Sequence, residues 1–154
     1  MGAVVNPLLS GIAQESRHAS KAIVFDGTAG KGAIGVGTVF AVTGEVYIER
    51  VVPFCETNIG VDGGTGAASM QLGHSAATNA FVATTPAPDI DAGEFWVDAT
   101  PDANMVAIPA ALKDFALTSD IQFEVTSTGT QKVNAGVVRW DVWWRPLSPD
   151  GNLA

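Results

Sequence analysis

Between Gly136 and Pro146 apolar residues recur at every second position. Val138, Trp140, Val142 and Trp144 fall on one face, and Val137, Arg139, Asp141, Trp143 and Arg145 on the other. A period of two belongs to a β-strand, here with one fully apolar face and one mixed face. Three of the chain's four tryptophans lie in this stretch, and a buried aromatic covers more surface than any aliphatic residue. The stretch is therefore expected to be the central strand on which the others pack.

Upstream, the pattern reads strand, turn, strand. Lys21–Phe25 is a β-rich run closed by the turn dipeptide Asp26-Gly27, and a glycine-rich loop follows to Gly37. Thr38–Thr43 and Glu45–Val52 read as strands, with Pro53 ending the latter or placing it at an edge. Ala68–Gly73 and Ala80–Thr84 follow around His74, and Glu94–Asp98 resumes β structure after an acidic loop. Ala110–Phe115 reads either as one helical turn or as an irregular edge. Ile121–Thr126 alternates cleanly, and Pro146, Pro149 and Gly151 are expected to end regular structure.

Short strands, Gly and Pro turns at roughly ten-residue spacing and no long helical period predict an all-β fold. The expected architecture is an antiparallel β-sandwich, jelly-roll or Greek-key-like. Residues 21–146 would form the sandwich and 147–154 a C-terminal tail. Residues 1–20 lack strand alternation and read as an extended N-terminal arm. Asn6 before Pro7 would cap a short turn carrying Leu8, Leu9 and Ile12 on one side. An arm with so little core of its own is expected to lie on a neighbouring subunit, through those three residues.

Composition narrows the function. Only 16% of the residues are charged, below the usual quarter, which points to a surface partly covered by other protein. A net charge of −8 with eight scattered basic residues argues against nucleic-acid binding, which needs clustered Lys and Arg. No apolar run approaches the ~20 residues that span a bilayer. The N-terminus has no basic region of the kind that opens a signal peptide. Its Met-Gly start resembles a myristoylation site but has Asn6 where Ser or Thr is wanted. Cys55 is alone, so no internal disulfide forms, as expected of a protein made in a reducing cytoplasm.

Candidate chemistry is sparse. Gly27–Gly32 has the wrong spacing for a phosphate loop and Gly32 where Ser or Thr should follow Lys31, so a mobile hairpin loop is expected. Asp89, Asp91 and Glu94, with Asp98 and Asp102 nearby, admit an adventitious cation at an interface. The plainer reading is a solvated loop whose aspartates bind their own backbone. His18 and His74 have no metal-ligand spacing, and no nucleophile elbow accompanies them. Cys55 beside Phe54 reads as a small buried hydrophobe. With no convergent acid–base constellation the chain is expected not to be an enzyme and to use no cofactor or metal. On the mixed face of the Trp-rich strand, Trp143 with Arg139 and Arg145 is either a subunit contact or a ligand patch. Their enrichment in interface hot spots favours the subunit contact.

The segments Lys21–Gly35, Asp89–Thr100 and Trp144–Gly151 resemble small virion structural proteins of tailed bacteriophages. The resemblance covers most of residues 21–152 and carries no catalytic residue over. It implies a capsid decoration, or cement, protein, a class often built as small β-sandwiches that form trimers on the outer shell. Its partners would be the major capsid protein and two further copies of itself in a homotrimer, with no nucleic acid and no membrane. It would be made in the host cytoplasm and sit on the outer capsid surface, where an acidic protein is better suited than near packaged DNA. The alternatives are a tail or head–tail component of the same particle, and a carbohydrate-binding adhesion module built on exposed tryptophans, Trp96 and Trp143.

Overall fold

The computed structural model describes residues 15–154. The turn after Asn6 and the arm contacts Leu8, Leu9 and Ile12 lie outside the described residues.

The Trp-rich stretch is the middle of the strand β9, Val133–Pro146. Val138, Trp140 and Val142 are fully buried and Trp144 nearly so, while Arg139, Asp141, Trp143 and Arg145 are half-buried on the opposite face. β9 pairs on one side with β1, Arg17–Val24, and on the other with β4, Val46–Val61; β7, Lys113–Leu117, pairs with the far edge of β4. This antiparallel front sheet has the order β1-β9-β4-β7. The back sheet has the order β2-β8-β5-β6, built from β2 (Gly35–Phe40), β8 (Ile121–Ser127), β5 (Ala68–His74) and β6 (Ala77–Pro86). A small third pair joins β3, Val42–Thr43, to β10, Asn152–Leu153.

The chain is an all-β antiparallel sandwich. Apart from the β5–β6 hairpin, consecutive major strands alternate between the two sheets, and each pairs with a strand distant in sequence. That connectivity is the jelly roll. The two sheets meet through Trp140 of β9, stacked on Phe123 of β8 with centroids 6.0 Å apart. Phe25 packs edge-on against both rings, 5.4 Å from Phe123 and 6.5 Å from Trp140. Gly37 lies over Phe123, where a Cβ would run into the ring.

Four expectations about element boundaries are revised. β1 begins at Arg17, so Arg17–Ser20 belong to the sandwich rather than to the arm. The polar segment hid this because β1 is an edge strand: Arg17 and Lys21 take the inward phase, opposite Trp144 and Trp140, yet remain exposed at the rim. Charges in that position also keep an edge from pairing with foreign strands. β4 does not stop at Pro53 but runs to Val61 through the middle of the front sheet. Pro53 is accommodated because its backbone faces away from β9, towards a loop whose Trp96 N–H donates to its carbonyl at 3.0 Å. Glu94–Asp98 is not a strand; Phe95 makes only isolated bridges to Phe54 and Asp102. The C-terminal tail is not irregular, since β10 pairs with β3 and buries Leu153. Ala110–Phe115 proves to be both readings in succession, a single 3₁₀ turn at Ala110–Leu112 followed by the edge strand β7.

Candidate functional site on the outer face of the front sheet

A half-buried face arises when a strand has the core on one side only, and β9 directs its odd-numbered residues outwards. The register opposes Trp143 to His18 of β1 and to Arg50 of β4, Arg145 to Tyr47, and Arg139 to Phe54. Each outward ring thus meets a cation from a neighbouring strand. The Arg50 guanidinium lies 4.0 Å from the Trp143 ring centre, that of Arg145 4.7 Å from Tyr47, and that of Arg139 5.3 Å from Phe54. The His18 ring, 4.7 Å from Trp143 and tilted by 35°, flanks the indole from the opposite strand. Trp143 therefore presents an edge rather than an open face.

The middle of the face is an ion network. Arg139 Nε donates to Asp141 at 2.8 Å, its Nη1 to Glu56 at 2.7 Å, and His18 Nε2 lies 2.9 Å from the second Asp141 oxygen. Burial opposes ionisation of Asp141, but hydrogen bonds from Arg139, Ser20 and His18 outweigh it and hold the carboxyl below its usual range. The bond to Asp141, and after it the one to Glu56, raise the Arg139 guanidinium.

Beyond Trp143 the face opens into a cleft of about 510 Å³, lined by Tyr47, Glu49, Arg50, Ile108, Lys113, Asp114 and Arg145. Of the three β9 residues singled out from the sequence, Arg139 is engaged within the ion network, Trp143 lies between His18 and Arg50, and Arg145 reaches the cleft. Arg50, Lys113 and Tyr47 complete the group and were not legible as members. They come from β4 and β7, and only the register places them beside β9.

The remaining candidates have settled positions. Trp96 is fully buried, its Nε1–H donating to Thr85 Oγ1 at 2.9 Å, so it forms no exposed aromatic platform. Cys55 is fully buried, and desolvation lifts its thiol to about 11. The Gly27–Gly32 loop is a hydrogen-bonded turn: the Lys31 carbonyl accepts from both Asp26 and Gly27, and the Asp26 carboxylate accepts from the Thr28 N–H and hydroxyl. The amides of Asp26, Gly27 and Thr28 are thus engaged within the loop itself. Asp98 and Asp102 cap their own turns, through Thr100 and Asn104. Among the described residues no three His, Cys, Asp or Glu gather into a metal site. His74 Nδ1 lies 3.2 Å from Ser119 Oγ, but among the described residues no carboxylate hydrogen-bonds that ring to complete a triad.

The outer face of the back sheet differs in kind. Gln71, Thr78, Thr84 and Glu124 bond to one another there, and the four strands of that sheet contain no Lys or Arg. Six of the eight basic residues lie on front-sheet strands. Comparison of the chain with protein families, with curated proteins and with solved structures finds no match.

Proposed function

We propose that the protein is a structural component of a bacteriophage virion, a decoration protein that docks on the outer surface of the head and stabilises the shell. The observation that carries this reading is the front-sheet face, where Arg, Trp and Tyr, the residues enriched at interface hot spots, are collected and held in place by cation–π contacts. Such pre-ordering lowers the entropy lost when a protein partner covers the face. Jelly rolls serve in viral shells and in lectins alike, so fold alone does not choose between them. Burial of Trp96 and the flanking of Trp143 by His18 and Arg50 leave no open ring face for a sugar, which favours a protein partner over a glycan. The sequence resemblance to virion proteins adds the identity of that partner, the major capsid protein. Residues 1–14 would act as a clamp across subunits, and the sandwich would form the exposed body. The test is co-sedimentation of purified protein with capsids that lack it. Saturable binding weakened by Trp143→Ala is expected, and no binding to the shell overturns the assignment.

A further inference from the structure

From Val51 to Leu112 the chain contains seven Asp or Glu and no Lys or Arg. The residues that bound this gap, Arg50 and Lys113, are brought opposite each other by the β4–β7 register. With Arg145 they line the 510 Å³ cleft. Among the described residues none of the three forms an ion pair. The two acids of the cleft are already hydrogen-bonded, Glu49 to the Ser16 hydroxyl at 2.6 Å and Asp114 to the Tyr47 hydroxyl at 3.2 Å. Cation–π contacts hold Arg50 over Trp143 and Arg145 over Tyr47, and a guanidinium carries five N–H donors, enough to bind a carboxylate as well. The buried Arg145 Nε–H has no acceptor among the described residues.

We propose that this cleft is one half of a self-association interface, and that its occupant is the acidic 89–102 stretch of a second copy of this chain. The inference takes up the self-association that the sequence resemblance to virion proteins implies and names a surface for it. The complementarity is internal to the sequence: the cations sit on the front sheet, and Asp89, Asp91, Asp98 and Asp102 are exposed on the stretch that lacks any cation. Just beyond that stretch Met105 is 84% exposed, the most exposed large apolar side chain described. Ile108, three residues on, lines the cleft of its own copy. Acidic stretch and cleft are therefore linked through a short connection, and copies can exchange them reciprocally or around a closed ring. Association of this kind overcomes the net repulsion of two chains of charge −8 only through local pairing, so it weakens as salt screens the contact.

Sedimentation velocity of the full chain across a concentration series, at low and at high salt, tests this. Concentration-dependent association at low salt that weakens with added salt is expected. Lys113→Glu with Arg145→Glu reverses the cleft, and Asp98→Lys with Asp102→Lys reverses the acidic stretch. Each variant alone should associate at least about tenfold more weakly, whereas an equimolar mixture should recover association because reversed cleft then meets reversed stretch. Circular dichroism melts establish that each variant is folded, and the single exposed change Arg50→Glu replaces the cleft variant if it is not. A wild type that stays monomeric at every concentration overturns the inference, as does association indifferent to the reversals or a mixture that fails to recover. No capsid enters the readout, so this result is independent of the shell assignment.

Discussion

The guanidinium of Arg50 lies 4.0 Å from the ring centre of Trp143, on the strand opposite the one that brings His18 to the same indole. An exposed cation–π contact contributes about 0.5–1 kcal/mol, so this one does little for the fold. Arg50→Ala should lower stability by no more than about 1 kcal/mol while weakening partner binding by more than that. Denaturant melts beside a binding titration separate the two effects. Equal losses in both would make Arg50 a structural residue.

Trp140 lies on the other face of the same strand and behaves oppositely. It is fully buried against Phe123 and Phe25. Trp140→Ala should cost about 3–5 kcal/mol, a large share of the roughly 5–15 kcal/mol that a domain has. Its Nε1–H is buried without an acceptor among the described residues, so Trp140→Phe removes an unmet donor along with the lost area and should cost clearly less than Ala. Urea unfolding of the two variants checks the order.

The alternation in β9 was readable because a strand with one buried face must alternate. What could not be read is set by distant pairing. Arg50, Lys113 and Tyr47 join the face through register alone, and a bulge between Ile48 and Arg50 shifts even the phase of β4. Trp96 has no alternating neighbours to report its burial, because it is held by Thr85 and the Pro53 carbonyl and not by a strand ladder. Pro53 reads as a strand end or an edge position because nothing local says which side its missing N–H would face. Arg17–Ser20 looked like an arm because an edge strand leaves most of its residues exposed.

Asp141 sets an acid limit. Its folded-state pKa lies below the ordinary value of about 3.9, through hydrogen bonds that outweigh its burial. The folded state therefore favours the ionised form, and the resulting stabilisation is full above about pH 5 and is lost as pH falls through the folded pKa. Asp141→Asn should lower Tm at neutral pH, and the difference from wild type should shrink towards about pH 2. A difference constant with pH, followed by calorimetry, would contradict this role.

Cys55 should be silent to thiol reagents. The thiol is fully buried, raised to about 11, and donates to the Thr57 carbonyl at 3.1 Å. Labelling near neutral pH should be slow in the native protein and complete in denaturant, with native-state rates that follow opening of the sandwich. Rapid native labelling would show that the 89–94 loop, which covers Cys55 through the Ile90 and Glu94 carbonyls, opens independently.

Removing the arm must spare β1. Deletion of residues 1–14 leaves Arg17–Val24 paired with β9, so the truncated protein should keep its melting behaviour and lose retention on the shell. Deletion of residues 1–20 also removes half of an edge strand and would confuse the two effects. Undiminished retention after the shorter deletion argues against a clamp.

The most direct test of the shell assignment is electron cryomicroscopy of purified particles that carry this protein. Jelly-roll density is expected on the outer surface of the head, with the front-sheet face turned towards a protein neighbour. Density confined to the tail or the head–tail junction, or a front-sheet face turned to solvent at every site, would contradict it.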